Sequence, residues 1–226
     1  MLSVIIPVFN EIHTICEIIS RVEAVPLDTE IIIVDDCSND GTRNILADIA
    51  GKSRAKVIFH DRNMGKGASL RTGFSKATGD IVIIQDADLE YDPKEYLKLI
   101  QPILTGEADV VYGSRFLEDE IYRSFSLWYL ANKILSFLSN IFTGLWLTDM
   151  ETCFKVFKKE ILEKVTIEED RFGFEPEITA KLAKMNIKIS EIGISYDRRS
   201  FKDGKKVGWK DGFSALRCIL KYNLLR

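Results

Sequence analysis

Four cysteines in 226 residues, Cys16, Cys37, Cys153 and Cys218, stand too far apart for a metal-ligand or disulfide framework. Reduced thiols in a cytoplasmic protein are the expectation. The opening MLSVIIPVFNE has no basic leader and no cleavage site, so no signal peptide is expected. Internal repeats and low-complexity linkers are absent, and so is any apolar run pure enough to be read as a membrane span. What remains is an ordinary globular composition, 46% apolar and 29% charged, long enough for one core over residues 1–226.

The net charge of −3 is unevenly spread. Residues 198–226 hold nine Lys or Arg against two Asp, so this tail carries +7 and the first 197 residues carry −10. A basic tail on an acidic body suits a phosphate-rich ligand or an anionic surface; a solvated charged face would give the same counts. Two nucleotide motifs are also missing. The stretch RNMGKGASLRTG (62–73) is not a Walker A loop, because His60 stands where its first Gly belongs and Gly67 follows Lys66. It is not a dinucleotide fingerprint either, since the third Gly position is Leu70. Its glycines are expected to bring backbone close to a ligand or to start a helix.

Short apolar runs at 2–8, 30–34, 56–60, 80–85, 109–112 and 188–194 read as strands. Helical patterns fall between most of them, near 12–22, 42–50, 65–77 and 93–104. The alternation predicts an α/β fold, a largely parallel sheet with helices on both faces. Ligands of such sheets bind at the carboxyl ends of the strands, near the switch in strand order. Polar residues collect at those ends. The first strand runs into Pro7, Phe9, Asn10 and Glu11, and the second into VDDCSNDGT, whose turn residues cap the next helix.

The fourth strand, IVII, runs into QDADLEYDP, which places Asp86, Asp88, Glu90 and Asp92 within seven positions. Asp92-Pro93-Lys94-Glu95 has the form of a helix start, with Asp92 as N-cap and Pro at the first helical position. Asp86 and Asp88 at the end of a buried strand repel each other unless a cation joins them. They suit Mg²⁺ or Mn²⁺, which take few carboxylates and complete their shell with water and phosphate. The bland alternative is an exposed acidic turn.

These segments resemble the family 2 glycosyltransferases of the GT-A fold. The matching pieces are VIIPVFNE (4–11), VDDCSNDGT (34–42), RNMGKGASLRTGF (62–74), QDADLEYDP (85–93), GSRF (113–116), TDMETCFKVFKKE (148–160), RFGFEPEITAKLAK (171–184) and YDRRSFKDGKKVGWKDG (196–212). The last three most resemble the dolichyl-phosphate mannosyltransferase branch, which moves a sugar from a nucleotide to a polyprenyl phosphate. The resemblance implies that Pro7, Phe9, Glu11, Val34 and Asp36 hold the base and ribose. It implies that Asp86, Asp88 and, less closely matched, Glu90 hold Mg²⁺ or Mn²⁺ against the donor diphosphate. Glu90 stands where characterised mannosyltransferases commonly carry Gln. Arg115 and Arg123 would hold the acceptor phosphate, and Asp88 and Arg115 would carry the catalysis. A surface ion pair with Glu118 or Glu120 is the rival role for Arg123. Arg199 and Lys205 would close over the donor diphosphate. Glu175 and Glu177 lie near the acceptor in relatives, or else belong to a helix start near Pro176.

The partners so implied are a nucleotide sugar, with GDP-mannose favoured and UDP-glucose next, and a dolichyl or other polyprenyl phosphate. No nucleic-acid partner is expected. A prenyl acceptor requires peripheral contact with a membrane, on its cytoplasmic face. Within 122–147, Leu127, Leu130, Ile134, Phe142 and neighbours form one helical stripe while Asn132, Ser136, Ser139 and Asn140 fall largely opposite. The segment either lies in the membrane interface or packs on the core. The basic region 196–226 would add a loop and a helix, 209–226, with Lys210, Arg217 and Lys221 facing an anionic bilayer. Two rivals stay open: a family 2 transferase acting on a hydroxyl of a polysaccharide or other soluble acceptor, and a non-catalytic nucleotide-sugar-binding subunit.

Overall fold

The computed structural model describes residues 1–50, 55–117, 127–197 and 209–224. Seven strands form one sheet: β1 (Leu2–Val8), β2 (Thr29–Asp35), β3 (Lys56–Phe59), β4 (Ile81–Ile84), β5 (Val110–Ser114), β6 (Lys155–Lys158) and β7 (Ile189–Gly193). Their spatial order is β3-β2-β1-β4-β6-β5-β7. Every neighbouring pair is parallel except those made by β6, which runs antiparallel to both β4 and β5. The predicted α/β architecture is thus present, and β6 is the strand that the apolar runs do not reveal. It is four residues long and begins at Lys155, a lysine that is fully buried.

The helices are α1 (Ile15–Glu23), α2 (Thr42–Ala50), α3 (Lys66–Phe74), α4 (Tyr96–Leu104, after a 3-10 turn Pro93–Glu95), α5 (Leu127–Thr143), α6 (Lys159–Leu162), α7 (Phe174–Ala183) and α8 (Trp209–Leu224). Asp92 caps the turn before α4, accepting from the Lys94 amide at 3.0 Å, as its sequence context predicts. The β-branched strands β1, β2 and β4 are buried on both faces, which is why they read as continuous apolar runs.

Strand order reverses at β1, which has β2 on one side and β4 on the other. The β1–β4 ladder ends at Ile5↔Ile84, whereas β1 stays paired with β2 as far as Val8↔Asp35. Beyond Ile5 a crevice therefore opens between the carboxyl ends of β1 and β4. Pro7, which has no amide hydrogen to give a ladder, sits beside it. This is where a sheet of this kind places a ligand.

Helix α5 inverts the usual arrangement. Its polar side chains Asn132, Ser136, Ser139 and Asn140 are buried, while Leu127, Leu130, Ile134, Phe137 and Ile141 are exposed. The buried set holds the segment 147–150 in place. Asn140 donates to the Leu147 carbonyl at 2.8 Å and accepts from its amide at 2.9 Å, and the Ser136 hydroxyl accepts from the Met150 amide at 3.0 Å. The apolar stripe of 127–145 is therefore not core. Among the described residues no helix is long and apolar enough to cross a membrane.

On α8, Phe213 and Leu220 are exposed but Ile219 is buried. Arg217 is exposed and Lys221 half-buried, and both are engaged by an acid of the protein's own. Lys221 reaches Glu169 at 2.9 Å, and Arg217 lies 2.5 Å from the same carboxylate, so both cations fix α8 to the body of the protein. These ion pairs give the two basic residues a structural role beside the expected one at a bilayer. The side chain of Lys210 lies outside the described residues.

Candidate active site

A cavity of about 1050 Å³ opens at the crevice between β1 and β4. It is lined by Phe9, Glu11, Asp36, Lys66, Asp86, Asp88 and Glu175 and also by apolar side chains of α5 and α8, among them Leu127, Leu138, Phe213 and Leu216. Pro7, Glu90 and Arg115 also line it. Val34 does not: it is fully buried opposite Pro7 in the sheet and contributes packing. Arg123, Arg199 and Lys205 lie outside the described residues.

The turn after β2 clamps the end of β1. Asn10 takes a positive φ of 54°, its amide donating to the Ser38 hydroxyl at 2.9 Å, and the Glu11 amide donates to Thr42 at 2.9 Å. Asp36 acts as an internal acceptor. One of its oxygens receives the Met64 amide at 2.8 Å and faces the His60 ring at 2.8 Å, and the other receives the Gly65 amide at 2.7 Å. Those bonds fix the 60–65 loop to the site. Gly65, at φ +100°, starts α3, and an added Cβ at Gly65 or Gly67 would strike the Glu169–Asp170 backbone. The close approach that these glycines allow is to protein backbone.

The acidic loop after β4 is shaped by Gln85, the first residue of QDADLEYDP, to which no role is assigned by the motif. Its buried amide donates to the carbonyls of Asp86 (3.0 Å) and Tyr91 (3.2 Å) and accepts from the Tyr96 hydroxyl at 2.7 Å. Leu89 is held at φ +66° in the same loop. Asp86 and Asp88 both face the cavity, and Asp88 accepts from the Glu90 amide at 3.1 Å. Glu90 accepts from the Tyr196 hydroxyl at 2.6 Å, which joins the loop to the end of β7. No group of three His, Cys, Asp or Glu arranged to hold a metal occurs among the described residues. Two hard carboxylates with room for phosphate and water nevertheless suit Mg²⁺ or Mn²⁺, which seldom use all-protein cages.

Lys66, within RNMGKGASLRTGF, is a further residue of the site, one without an expected role. Its ammonium lies 3.0 Å from Asp86 and 3.1 Å from Glu175. Burial works to lower its pKa, and Asp86 and Glu175 more than offset this, holding it well above the usual lysine range. Glu177, two positions on, faces the other way. It accepts from the Glu168 and Glu169 amides and pairs with Lys181, so it secures the start of α7. Of the two acids in FGFEPE, one is in the cavity and one is structural.

Arg115 is buried and already paired. Its Nε and Nη2 donate to the two oxygens of Asp149 at 2.6 and 2.7 Å, and its guanidinium lies 4.9 Å from the Trp128 ring centre and 5.3 Å from that of Tyr196. Asp149 is placed by Glu191, which accepts from the Thr148 and Asp149 amides at 2.9 Å. Close by, Glu151 lines the cavity and its Oε1 has no partner among the described residues. Burial, then the neighbouring Glu175, pushes its carboxyl up, and burial pushes the adjoining Lys155 down.

The sequence matches the family described as Glycosyl transferase family 2 over residues 3–166. The chain belongs to glycosyltransferase family 2. It is 29% identical over 199 residues to the undecaprenyl-phosphate 4-deoxy-4-formamido-L-arabinose transferase of Aeromonas hydrophila subsp. hydrophila, covering 85% of this chain and 59% of that one. The transferase of the same description from Pectobacterium atrosepticum is 30% identical over 231 residues, covering 99% and 66%. The chain thus spans less than two thirds of the length of these relatives. A solved structure of glucosyl-3-phosphoglycerate synthase from Mycobacterium tuberculosis, in complex with Mn²⁺, UDP and phosphoglyceric acid, superposes with a TM-score of 0.76 at 20% identity, covering 99% of this chain and 78% of that one. At that identity the likeness speaks for the fold, and this family 2 chain has the GT-A fold expected from its motifs.

Proposed function

We propose that this protein is an inverting glycosyltransferase that moves a sugar from a nucleotide sugar to a polyprenyl phosphate at a membrane surface. One observation carries this reading. One cavity is lined both by the charged groups Asp86, Asp88, Lys66 and Glu175 and by apolar side chains of α5 and α8, and these two helices also carry exposed apolar side chains. A substrate with a phosphate head and an isoprenoid tail matches that combination, and the relatives' undecaprenyl phosphate is of this kind. The exposed stripe of α5 would rest in the interface of the bilayer that holds the acceptor.

Phe9 and Glu11 line the wall on which the nucleoside would lie, and Asp36 braces that wall. Asp86 and Asp88, and Glu90 if it leaves Tyr196, would hold Mg²⁺ or Mn²⁺, which when bound neutralises the departing diphosphate. An acceptor phosphate is already anionic near neutral pH, its second pKa being roughly 6, so no side chain need remove a proton. Catalysis then consists of aligning the acceptor oxygen with the anomeric carbon and excluding water. Arg115, held by Asp149, would present its remaining face to the acceptor phosphate, a role proposed for Arg123 as well. Arg199 and Lys205 would complete the donor side. GDP-mannose and UDP-glucose are the donors to test first, and the relatives' 4-deoxy-4-formamido-L-arabinose joins them.

A second reading, transfer to a hydroxyl acceptor, is favoured by Glu151 alone. A buried carboxyl whose pKa is raised toward neutrality, with one oxygen unpartnered, suits a general base. One experiment separates the two. Purified protein is given each donor with Mn²⁺ and either a short prenyl phosphate or an oligosaccharide, and Glu151→Gln is run in parallel. Transfer to the prenyl phosphate that survives Glu151→Gln supports the proposal. Transfer only to the oligosaccharide, abolished by Glu151→Gln, would replace it.

A further inference from the structure

The carboxylate meant for the divalent ion is already engaged by a cation of the protein's own. The Lys66 ammonium lies 3.0 Å from Oδ1 and 3.3 Å from Oδ2 of Asp86, and 3.1 Å from Oε1 of Glu175. All three side chains line the cavity and are largely buried, with 15%, 22% and 6% of their surfaces exposed. We propose that Lys66 is an internal counter-ion that occupies Asp86 until a nucleoside diphosphate arrives, so that metal and nucleotide bind as a coupled pair. The inference rests on the metal role of Asp86 and Asp88 proposed above.

Two cations compete for the same oxygens. A divalent ion reaching Asp86 in the free protein meets an ammonium at contact distance, and the repulsion between them is strong where water is scarce. The ion therefore binds weakly alone. A diphosphate brings new anionic oxygens to the same wall. Lysine carries a compact charge with three donors on a flexible four-carbon stem, so it can leave Asp86 for a phosphate oxygen while its backbone stays fixed at the start of α3. Glu175 matters because it keeps the ammonium in the cavity during the exchange. Without such a second anchor the displaced lysine would drift into solvent and be lost to the diphosphate. The release of Asp86 and the capture of the diphosphate are then one event. Linkage makes the effect reciprocal: nucleotide tightens metal binding as much as metal tightens nucleotide binding.

The alternative is that Lys66 merely ties α3 to α7. The two are separated by titrating Mn²⁺ and following the electron paramagnetic resonance signal of the free ion, with no nucleotide, with UDP and with GDP. In wild type, a nucleoside diphosphate should tighten Mn²⁺ binding by about tenfold or more. Lys66→Met should bind Mn²⁺ without nucleotide about tenfold more tightly than wild type, which shrinks the nucleotide effect by a similar factor. Because that variant leaves Glu175 buried without its partner, Glu175→Gln and the double variant are titrated too. The double variant should bind Mn²⁺ alone more tightly than Glu175→Gln. Lys66→Arg, which keeps the charge, should stay as weak as wild type. If Lys66→Met and the double variant bind Mn²⁺ alone no more tightly than their parents, while nucleotide still tightens binding, the lysine is only a tie and the inference is overturned. If no variant binds Mn²⁺ with either nucleotide, the metal role of Asp86 and Asp88 fails, and the counter-ion role falls with it.

Discussion

Asp88 is expected to hold a metal and Arg115 the acceptor phosphate, and the structure gives them different neighbours. Asp88 accepts the backbone amide of Glu90 and lines the cavity. Asn at that position keeps an acceptor for the amide and removes the charge. Asp88→Asn should therefore fold normally and lose about 3 kcal/mol of transition-state stabilisation, on the order of a hundredfold in kcat/KM. Full activity of Asp88→Asn in the presence of chelator would contradict a metal role. Arg115 is bound to Asp149 over both carboxylate oxygens, and both side chains are buried. Arg115→Ala strands a buried charge, so it should destabilise the fold by about 3–5 kcal/mol in addition to any effect on acceptor use. Replacing both partners, as Arg115→Met with Asp149→Leu, should restore much of that loss. Denaturation midpoints measure this, and an Arg115→Ala protein as stable as wild type would mean the pair is not formed. The pairing was not legible in the sequence because its members are 34 positions apart and joined only by the meeting of β5 with the segment after α5.

At the scale of elements, the sequence yielded every strand that is apolar and continuous. It missed β6, where a buried lysine at the first position hides a four-residue strand. It also left α7 as no more than a helix start near Pro176. That helix is buried around most of its circumference, so it shows no amphipathic period. For α5 the period gave the stripe but not its direction, since either face of such a helix can turn inward. The outward apolar face predicts a measurable property. Phe137→Glu with Ile141→Glu alters two exposed side chains that do not line the cavity. Surface changes of this kind usually shift stability by no more than roughly 0.5 kcal/mol. The double variant should stay folded yet sediment less with phospholipid vesicles; unchanged sedimentation would assign the α5 face to something other than a membrane. Helix α8 offers a pH test. Burial alone would raise the pKa of Glu169, but bonds from Lys221, Tyr222 and Arg217 bring it down to about 2. Its folded pKa is thus below the usual glutamate value. The stability it adds is present above about pH 4.5 and is lost as the pH falls toward 2. Amide exchange in α8 should accelerate over that range sooner than in the strands, and Glu169→Gln should show the faster exchange at neutral pH. Equal exchange in variant and wild type would remove Glu169 as the clamp.

Across the whole molecule, the sheet sets the chemistry by where it changes direction. Strand order reverses at β1, the ladder to β4 stops at Ile5↔Ile84, and the carboxylates of the next loop are delivered to the gap. Side chains of α5 and α8 line the same cavity as those carboxylates, so under the proposed function a single cavity would receive both a diphosphate and a hydrocarbon chain. The carboxylates were legible as motifs; the apolar lining was not, because it depends on which way two amphipathic helices face. The central claim is that the acceptor is a phosphate attached to a prenyl chain. The most direct measurement is phosphorus NMR of a reaction containing protein, Mn²⁺, nucleotide sugar and a short prenyl phosphate. The account predicts that the acceptor's monoester resonance is replaced by that of a sugar phosphodiester as nucleoside diphosphate is released in equal amount. A monoester resonance that persists while sugar is transferred to a hydroxyl, or lost to water, would contradict it.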